Sequence, residues 1–232
     1  MNIAVIPARG GSKRIPRKNI KVFCGKPMIA YPIQLALASG LFDHVVVSTD
    51  DDEIASMARH YGAEVPFQRP SNLADDYTPT IPVVVHAITA CEALDWSISL
   101  VCCIYPGAPL LQQADLSGAL ALLRRSEADY VFAVAQYSAP VQRSLRRAKD
   151  GRMSAFLQEF ETTRTQDLES SYYDVGQFYW GTKNAWLQSI GIHSSGLGYV
   201  IPSWRSIDID TEEDWTRAEL IFRLLQENKS GV

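Results

Sequence analysis

Short apolar segments and amphipathic segments alternate along most of the 232-residue chain. Strands are predicted where apolar and β-branched residues cluster, at residues 2–7, 44–48, 64–67, 98–105, 129–135 and 175–180. Helices are predicted in the segments between and after them, at residues 27–39, 51–61, 83–94, 115–126 and 183–189. This alternation is typical of an α/β fold, so we predict a mainly parallel central sheet flanked by helices.

Residues that favour helix ends support several of these boundaries. Pro27 lies near the first turn of the first predicted helix, and Gly40 lies just past its end. Further along, Asp210 and Glu213 fit a D-x-x-E capping box, which stabilises the start of a helix. We therefore predict a long amphipathic helix that begins there and ends at Asn228.

The pattern loosens between residues 137 and 173, where a basic patch and polar residues replace the periodic apolar positions. We interpret this segment as an excursion from the core. A length of 232 residues suits one domain with such an excursion. We therefore predict a single domain over residues 1–232.

Charge and hydropathy exclude several classes of protein. The formal net charge of −4 argues against a general nucleic-acid binder. No apolar run approaches the length of a membrane span, and the first apolar run is too short for a secretory signal, so we expect a cytoplasmic protein that does not enter a membrane. The cysteines contain no C-x-x-C pair, which favours reduced thiols over a metal site.

A basic loop follows the first predicted strand. It contains Gly10 and Gly11, and six cations lie between residues 9 and 21. Glycines allow backbone N–H groups to approach phosphate oxygens, and Arg and Lys supply charge-assisted hydrogen bonds. Ligands bind at the carboxyl ends of strands in α/β sheets, so we predict a polyphosphate site here. The loop does not fit the G-x-x-x-x-G-K-[ST] pattern of an ATPase or GTPase phosphate loop.

A pair of acidic residues lies just before the last predicted helix. Asp208 and Asp210 alternate along an extended segment, so their side chains point to the same side. Two carboxylates suit Mg²⁺, which prefers hard oxygen ligands together with water and substrate phosphates. Asp210 also fits the role of a helix N-cap, so both interpretations stay open.

Several further segments occur in order over nearly the whole length of the chain. They are Arg9-Gly10-Gly11-Ser12-Lys13, Pro16-Arg17-Lys18-Asn19, Ser48-Thr49-Asp50, Arg69-Pro70, Leu73-Ala74-Asp75-Asp76, Tyr105-Pro106-Gly107-Ala108-Pro109 and Asp208-Ile209-Asp210-Thr211-Glu212. Through these segments the chain resembles the CMP-sialic acid synthetase-type cytidylyltransferases. It is most similar to the members that activate pseudaminic acid, through the segments Lys13-Arg14-Ile15-Pro16-Arg17-Lys18-Asn19, Phe23-Cys24-Gly25-Lys26-Pro27-Met28-Ile29-Ala30-Tyr31 and Gly176-Gln177-Phe178-Tyr179-Trp180.

The resemblance implies a Rossmann-like nucleotidyltransferase fold and a homodimer formed partly through the excursion at residues 137–173. It also implies Mg²⁺-dependent transfer of CMP from CTP to a nine-carbon 2-keto sugar acid, with release of pyrophosphate. Pseudaminic acid is the expected acceptor, and sialic, legionaminic and Kdo-type acids remain alternatives. Kdo-type loops generally have Gly-Lys-Pro where this chain has Arg17-Lys18-Asn19, which counts against the last of them.

The resemblance further implies roles for individual residues. The nucleotide would be held by Ala8, Arg9, Gly10, Gly11, Ser12, Lys13, Lys18, Asn19 and Arg69. The catalytic residues would be Arg9, Lys18, Asp208 and Asp210, with the two aspartates binding Mg²⁺. The sugar side would include Tyr105, Gln177, Arg164 and Arg143, and an Arg fork suits the sugar carboxylate.

One position departs from the family pattern. Gly107 stands where pseudaminic-type members commonly have a hydroxyl residue. This glycine raises the alternative of a nucleotide-binding homologue with impaired catalysis. None of the four histidines stands out as a general base, and we interpret them as packed or solvated side chains.

Overall fold

A computed structural model describes the backbone of residues 1–230 and the side chains of residues 1–227. The strands are β1 (Asn2–Pro7), β2 (Val22–Phe23), β3 (Lys26–Pro27), β4 (His44–Ser48), β5 (Leu100–Ile104), β6 (Tyr130–Gln136), β7 (Leu145–Arg147), β8 (Met153–Ala155), β9 (Tyr172–Thr182) and β10 (Gly196–Val200). The helices are α1 (Ala30–Ser39), α2 (Asp52–His60), α3 (Thr80–Glu92), α4 (Gln113–Arg125), α5 (Lys183–Leu187), α6 (Ile192–Ser195) and α7 (Glu212–Ser230). The predicted α/β class is confirmed.

The central sheet of the described chain has six strands in the order β10-β6-β9-β5-β1-β4. β1 pairs in parallel with β4 and β5, and β6 pairs in parallel with β10. β9 is antiparallel to both of its neighbours, β5 and β6. The sheet is therefore mainly parallel, with one reversed strand at its centre.

Two apolar layers cover the faces of this sheet. Alternate residues of β1 point to opposite faces, so Ala4 and Ile6 join one buried cluster while Ile3 and Val5 join the other. Helices α1, α2 and α4 contribute to the first cluster, and α3 and α5 contribute to the second. A third cluster packs α7 against the basic loop and the hairpin β2–β3, with Ile15 among its buried residues.

Two sequence predictions about the first 67 residues are wrong. Pro27 does not begin the first helix, because it pairs with Val22 in the small antiparallel hairpin β2–β3, and α1 starts only at Ala30. Residues 64–67 do not form a strand, since only Glu64 bridges to Val46. Pro66 has no N–H group to continue that pairing.

Other boundaries agree closely with the pattern. β4 has the predicted bounds, and Gly40 ends α1 in the left-handed region at φ 66°. Asp51 caps α2 by accepting hydrogen bonds from the backbone N–H groups of Glu53 and Ile54. None of the described helices combines the length and apolar character needed to cross a bilayer.

The excursion between β6 and β9 contains the antiparallel hairpin β7–β8 and single helical turns at residues 141–143, 158–160 and 165–167. Its side chains are mostly exposed. In particular, the hairpin region leaves Leu145, Met153 and Phe156 more than half exposed. The excursion therefore lies outside the apolar layers of the sheet.

A buried ion pair anchors the segment between β10 and α7. Arg205 donates to both carboxylate oxygens of Asp115, with Nη1–Oδ2 2.5 Å and Nη2–Oδ1 2.9 Å. Both side chains are at least nine-tenths buried. Asp115 lies in the first turn of α4 and also accepts from the backbone N–H of Gln112. The pair therefore fixes the loop before α7 to the start of α4.

We expect Arg205→Ala to lower the free energy of unfolding by about 3–5 kcal/mol, because it leaves the buried Asp115 carboxylate without its partner. Urea unfolding followed by circular dichroism measures this change. Arg152→Ala is the control, since the Arg152–Asp150 pair is exposed and its loss should cost less than about 1 kcal/mol. Equal costs for the two variants would contradict the anchoring role.

Candidate active site

A cleft of about 500 Å³ opens at the carboxyl ends of β1 and β5. Its lining side chains come from the basic loop, the segment 69–80, the end of β5 and the segment before α7. The polar and charged members among the described residues are Arg9, Ser12, Lys13, Arg14, Lys18, Asn19, Arg69, Asp75, Asp76, Thr78, Thr80, Tyr105, Asp208 and Asp210. The edge of the sheet chosen from sequence is therefore the edge that carries the cleft.

The four catalytic candidates Arg9, Lys18, Asp208 and Asp210 all line this cleft. So do the nucleotide-site candidates Ser12, Lys13, Asn19 and Arg69. Ala8, Gly10 and Gly11 belong to the same loop but do not contribute to the lining. The structure thus brings together residues as far apart in sequence as Arg9 and Asp210.

Gly10 is required for a reason that differs from the predicted phosphate contact. A Cβ atom on Gly10 would lie 2.6 Å from Oδ2 of Asp51, and the Gly10 N–H donates to Oδ1 of Asp50 at 3.1 Å. A Cβ on Gly11 would meet open space. The glycine at position 10 therefore lets the loop pack against the start of α2.

Two of the six loop cations hold the loop in place instead of facing the cleft. Arg17, in the left-handed region at φ 54°, donates to both Asp51 and Glu53 at the start of α2. Its guanidinium lowers the pKa of Asp51, mainly through the hydrogen bond. Lys21 pairs with Glu212 at 2.7 Å and lies 4.5 Å from the centre of the Trp215 ring. Arg17 and Lys21 therefore join the loop to α2 and α7.

Asp76 forms ion pairs with two cations at one end of the cleft. Its Oδ1 accepts from Nη1 of Arg9 at 2.5 Å, and its Oδ2 pairs with Nζ of Lys13. The hydrogen bonds from Lys13 and then Arg9 lower the pKa of Asp76. An anionic ligand that binds Arg9 and Lys13 would therefore compete with this carboxylate.

Asp210 forms ion pairs with two cations at the other end of the cleft. Its Oδ2 pairs with Nη1 of Arg14 at 2.5 Å, and its Oδ1 lies 3.5 Å from Nζ of Lys18. Lys18 also donates to the backbone carbonyl of Ile209 at 2.7 Å. Lys18 thus reaches across the cleft from the basic loop to the acidic segment.

The N-terminus of α7 is capped by Thr211 and not by Asp210. The Asp214 N–H donates to Oγ1 of Thr211 at 3.2 Å, and the Thr211 N–H donates to Oδ2 of Asp214 at 2.9 Å. The capping box therefore lies one residue later than Asp210 and Glu213, and the predicted box is wrong. Asp210 is left to interact with the cleft.

Asp208 and Asp210 have the chemistry of a divalent cation site. Desolvation in the cleft, followed by the neighbouring charge of Asp210, raises the pKa of Asp208. A cation bound between these carboxylates would relieve that repulsion. In the described residues no group of three or more acidic, His or Cys side chains could enclose a metal ion. Two carboxylates alone fit Mg²⁺, which takes its other ligands from water and phosphate.

Arg69 forms a buried wall of the cleft beside β4. Its Nε donates to Oγ of Ser48 at 3.1 Å, and its Nη2 donates to the Ser48 carbonyl at 2.5 Å. Burial lowers the pKa of Arg69 to about 10, so the guanidinium remains charged at neutral pH. Arg69 is therefore a fixed cation whose position is set by the carboxyl end of β4.

The structure places only some of the residues predicted on the sugar side at the cleft. Tyr105 lines the cleft, where its hydroxyl bonds to Oγ1 of Thr80 at 2.6 Å. Gln177 is buried beside it and donates to the carbonyl of Arg205 at 2.8 Å, while its Oε1 has no hydrogen-bond partner among the described residues. Arg143 and Arg164 lie on the exposed excursion, outside the lining of this cleft.

Gly107 borders the cleft next to Lys18. A Cβ atom at this position would lie 3.9 Å from both Cε and Nζ of Lys18, which is ordinary contact distance. A Cβ atom would therefore fit here without a clash. The glycine leaves that space beside the Lys18 amine open to a ligand or to water.

Three residues in or near the cleft make contacts that the sequence does not predict. Asp76 belongs to the family-like segment Leu73-Ala74-Asp75-Asp76, for which no contact is predicted, and Thr80 lies before residue 83, where the helix is predicted to begin. Asp174 accepts from the Tyr179 hydroxyl at 3.0 Å and from Nε2 of His193 at 2.8 Å. The unusual Leu73-to-Asp76 segment was a usable signal for Asp76, whereas nothing local marked Asp174.

The chain is similar to known cytidylyltransferases. A family model described as Cytidylyltransferase matches residues 3–170. A pseudaminic acid cytidylyltransferase of Campylobacter jejuni is 41% identical over 230 residues, which is 98% of each chain. A CMP-N,N'-diacetyllegionaminic acid synthase of Legionella pneumophila is 31% identical over 229 residues, which is 97% of each chain.

Solved structures show a related fold. A CMP:2-keto-3-deoxy-manno-octonic acid synthetase complexed with CTP aligns with a TM-score of 0.71 and 17% identity, covering 97% of this chain and 99% of its own. A 4-diphosphocytidyl-2C-methyl-D-erythritol synthase of Anaerococcus prevotii aligns with a TM-score of 0.64 and 14% identity, covering 96% of each chain. These similarities support the Rossmann-like architecture.

We expect Asp76→Asn to tighten the binding of inorganic tripolyphosphate by about threefold, because the anion no longer competes with a carboxylate for Arg9 and Lys13. Isothermal titration calorimetry at pH 7.5 and low salt measures the affinity. Asp75→Asn is the matched control, since an amide oxygen can still accept the hydrogen bonds from Thr78. Weaker binding by Asp76→Asn would show that Asp76 assists the ligand.

Proposed function

Because the chain belongs to the cytidylyltransferase family, we propose that it transfers CMP from CTP to the anomeric hydroxyl of a nine-carbon 2-keto sugar acid, with pseudaminic acid as the acceptor. One observation carries the proposal: the basic loop and the acidic pair Asp208–Asp210 face each other across one cleft. The acceptor rests on the full-length relatives that are named for pseudaminic acid.

Charge neutralisation and positioning are the main tasks of this cleft. The oxygen of the anomeric hydroxyl forms a bond to the α-phosphorus of CTP and its proton passes to solvent, while the bond from that phosphorus to the pyrophosphate oxygen breaks and pyrophosphate leaves. Arg9, Lys13 and Lys18 would bind the triphosphate and stabilise charge that accumulates on pyrophosphate. In the structure these three cations are paired with the carboxylates of Asp76 and Asp210.

Asp208 and Asp210 would hold Mg²⁺ in this reaction. Bound there, the ion would neutralise phosphate oxygens and help to align the two substrates. The raised pKa of Asp208 means that its carboxylate gains a proton at a higher pH than an ordinary aspartate. Cation binding requires the charged form, so the proposed site weakens as the pH falls toward that pKa.

The acceptor would lie against Tyr105 and Gly176, at the end of the cleft nearest to β9. Legionaminic acid is the alternative acceptor, because one full-length relative is named for it. Gly107 motivates the other alternative, a homologue that binds nucleotide but has impaired catalysis. Both acidic residues are present in the cleft, which favours an active enzyme.

Pyrophosphate release by the purified protein, with CTP, Mg²⁺ and each of four sugar acids, tests the proposal. The acids are pseudaminic, sialic, legionaminic and Kdo. We expect pseudaminic acid to give the highest kcat/KM. Turnover with another acid alone would contradict the acceptor assignment. If no acid is turned over and CTP binds with the same affinity with and without Mg²⁺, the result would favour a homologue with impaired catalysis.

Two variants test the proposed Mg²⁺ ligands in the same assay, and a third is their control. Asp208→Asn and Asp210→Asn should each reduce turnover by at least about a hundredfold, because each loses a charged ligand of the proposed Mg²⁺ site. Both should retain the stability of the wild type. Thr211→Ala should show the reverse pattern, with a stability loss of about 1 kcal/mol from the helix cap and nearly full turnover.

We also propose that the protein is a homodimer in which the excursion of one copy reaches the cleft of its partner. Its hairpin region exposes Leu145, Met153 and Phe156, and exposed apolar clusters of this kind are typical of interfaces. Arg143 and Arg164 fit the sugar carboxylate chemically, but they lie outside the cleft of their own chain. A second copy would bring these side chains to the acceptor.

Mixing two inactive variants tests this arrangement. Co-expressed chains with Arg164→Ala and Asp208→Asn should recover about a quarter of wild-type turnover, since half of randomly formed dimers are mixed and each mixed dimer has one intact shared site. Each variant alone should remain nearly inactive. If Arg164 served its own chain, no mixed dimer would contain an intact site, and activity would stay absent.

A further inference from the structure

Asp174, near the start of β9, is the centre of a hydrogen-bonded group behind the cleft wall. Its carboxylate accepts from the Tyr179 hydroxyl at 3.1 and 3.0 Å, from the Gly176 N–H at 2.8 Å and from Nε2 of His193 at 2.8 Å. Asp174 itself does not line the cleft. Its contacts therefore act on residues that lie between it and the cleft.

The first of these contacts shapes the backbone of β9. Phe132 pairs with Tyr179 and Val134 pairs with Asp174, so residues 175–178 of β9 lie opposite Ala133 alone. This bulge contains Gly176 in the left-handed region at φ 66°. The hydrogen bond from the Gly176 N–H to Asp174 closes the turn, and Gly176 becomes part of the cleft wall.

The second contact of Asp174 holds Tyr179 beside Tyr105. The rings of Tyr179 and Tyr105 lie 5.5 Å apart between centroids, and Tyr179 is bonded to Asp174 at its hydroxyl. Tyr105 is held on its other side by Thr80, at the first residue of α3. Burial raises the pKa of Tyr105 to about 12, so it meets a ligand as a neutral phenol.

We infer that Asp174 is a positioning residue for the acceptor, which acts by holding the Gly176 turn and, through Tyr179, the ring of Tyr105. This inference rests on the proposed function, because it takes the Tyr105 end of the cleft as the acceptor site. Asp174 has no contact with the basic loop or with Asp208 and Asp210 among the described hydrogen bonds and ion pairs. Its loss should therefore affect the acceptor and leave CTP binding intact.

Asp174→Asn is the test, because it keeps the shape of the side chain and removes its charge. We expect the KM for the sugar acid to rise about tenfold, with the KM for CTP within twofold of wild type. Tyr179→Phe should likewise raise the KM for the sugar acid and leave the KM for CTP nearly unchanged. The double variant should be little worse than either single variant, since both changes break one chain of contacts.

Asp95→Asn provides the matched control, with the same chemical change in an exposed turn after α3. It should leave both KM values unchanged. Equal effects of Asp174→Asn on the two KM values, or a change in thermal stability without a change in either, would overturn the positioning role.

Calorimetric binding of pseudaminic acid to the protein saturated with CTP and Mg²⁺ separates this inference from the proposed function. If the wild type binds the acid and Asp174→Asn binds it equally well, the positioning role is wrong and the proposed function stands. If the wild type neither binds nor turns over any sugar acid, the proposed function is wrong. In that case the positioning role falls with it.

Discussion

The bidentate ion pair of Arg205 and Asp115 fixes the chain segment on which the acidic side of the cleft depends. The segment 201–211 has little regular structure, so it needs contacts outside itself to hold its position. Arg205 supplies one through its side chain and another through its carbonyl, which accepts from Gln177. Removing two charges from water costs most of what their attraction returns. The pair therefore contributes chiefly a defined position, and Asp208 follows three residues later.

The cleft illustrates how a protein keeps several cations close together before its ligand arrives. Arg9 and Lys13 share the carboxylate of Asp76, while Arg14 and Lys18 share that of Asp210. Without these partners the basic loop would repel itself. The proposed function assigns some of these same cations to the triphosphate. Binding of CTP would then exchange one set of ion pairs for another, which would limit both its net gain in free energy and its cost of reorganisation.

Sequence patterns predicted the features that depend on local chemistry. The β-branched run at β4 and the acidic start of α2 follow from rules that act within a segment, and the basic loop follows from the rule for strand ends. The meeting of Arg9, Lys18 and Asp208 in one cleft was instead implied by the resemblance to the cytidylyltransferases. The capping box shows where such rules stop, because the sequence fits both Asp210 with Glu213 and Thr211 with Asp214. Only the path of the chain through the segment 201–211 decides between them. The contacts of Asp76 and Asp174 likewise depend on long-range packing that no local pattern encodes.

The reversed direction of β9 explains why an excursion and a cleft occur at the same edge of the sheet. A parallel connection would carry the chain back across the sheet before the next strand begins. Here β6 ends at the carboxyl edge, and antiparallel β9 starts from that same edge. The residues between them can therefore project into solvent beside the cleft without crossing the core. The same reversal places the bulge with Gly176 at the edge, where it can form part of the cleft wall. One change of strand direction thus brings both the excursion and the proposed acceptor wall to the cleft.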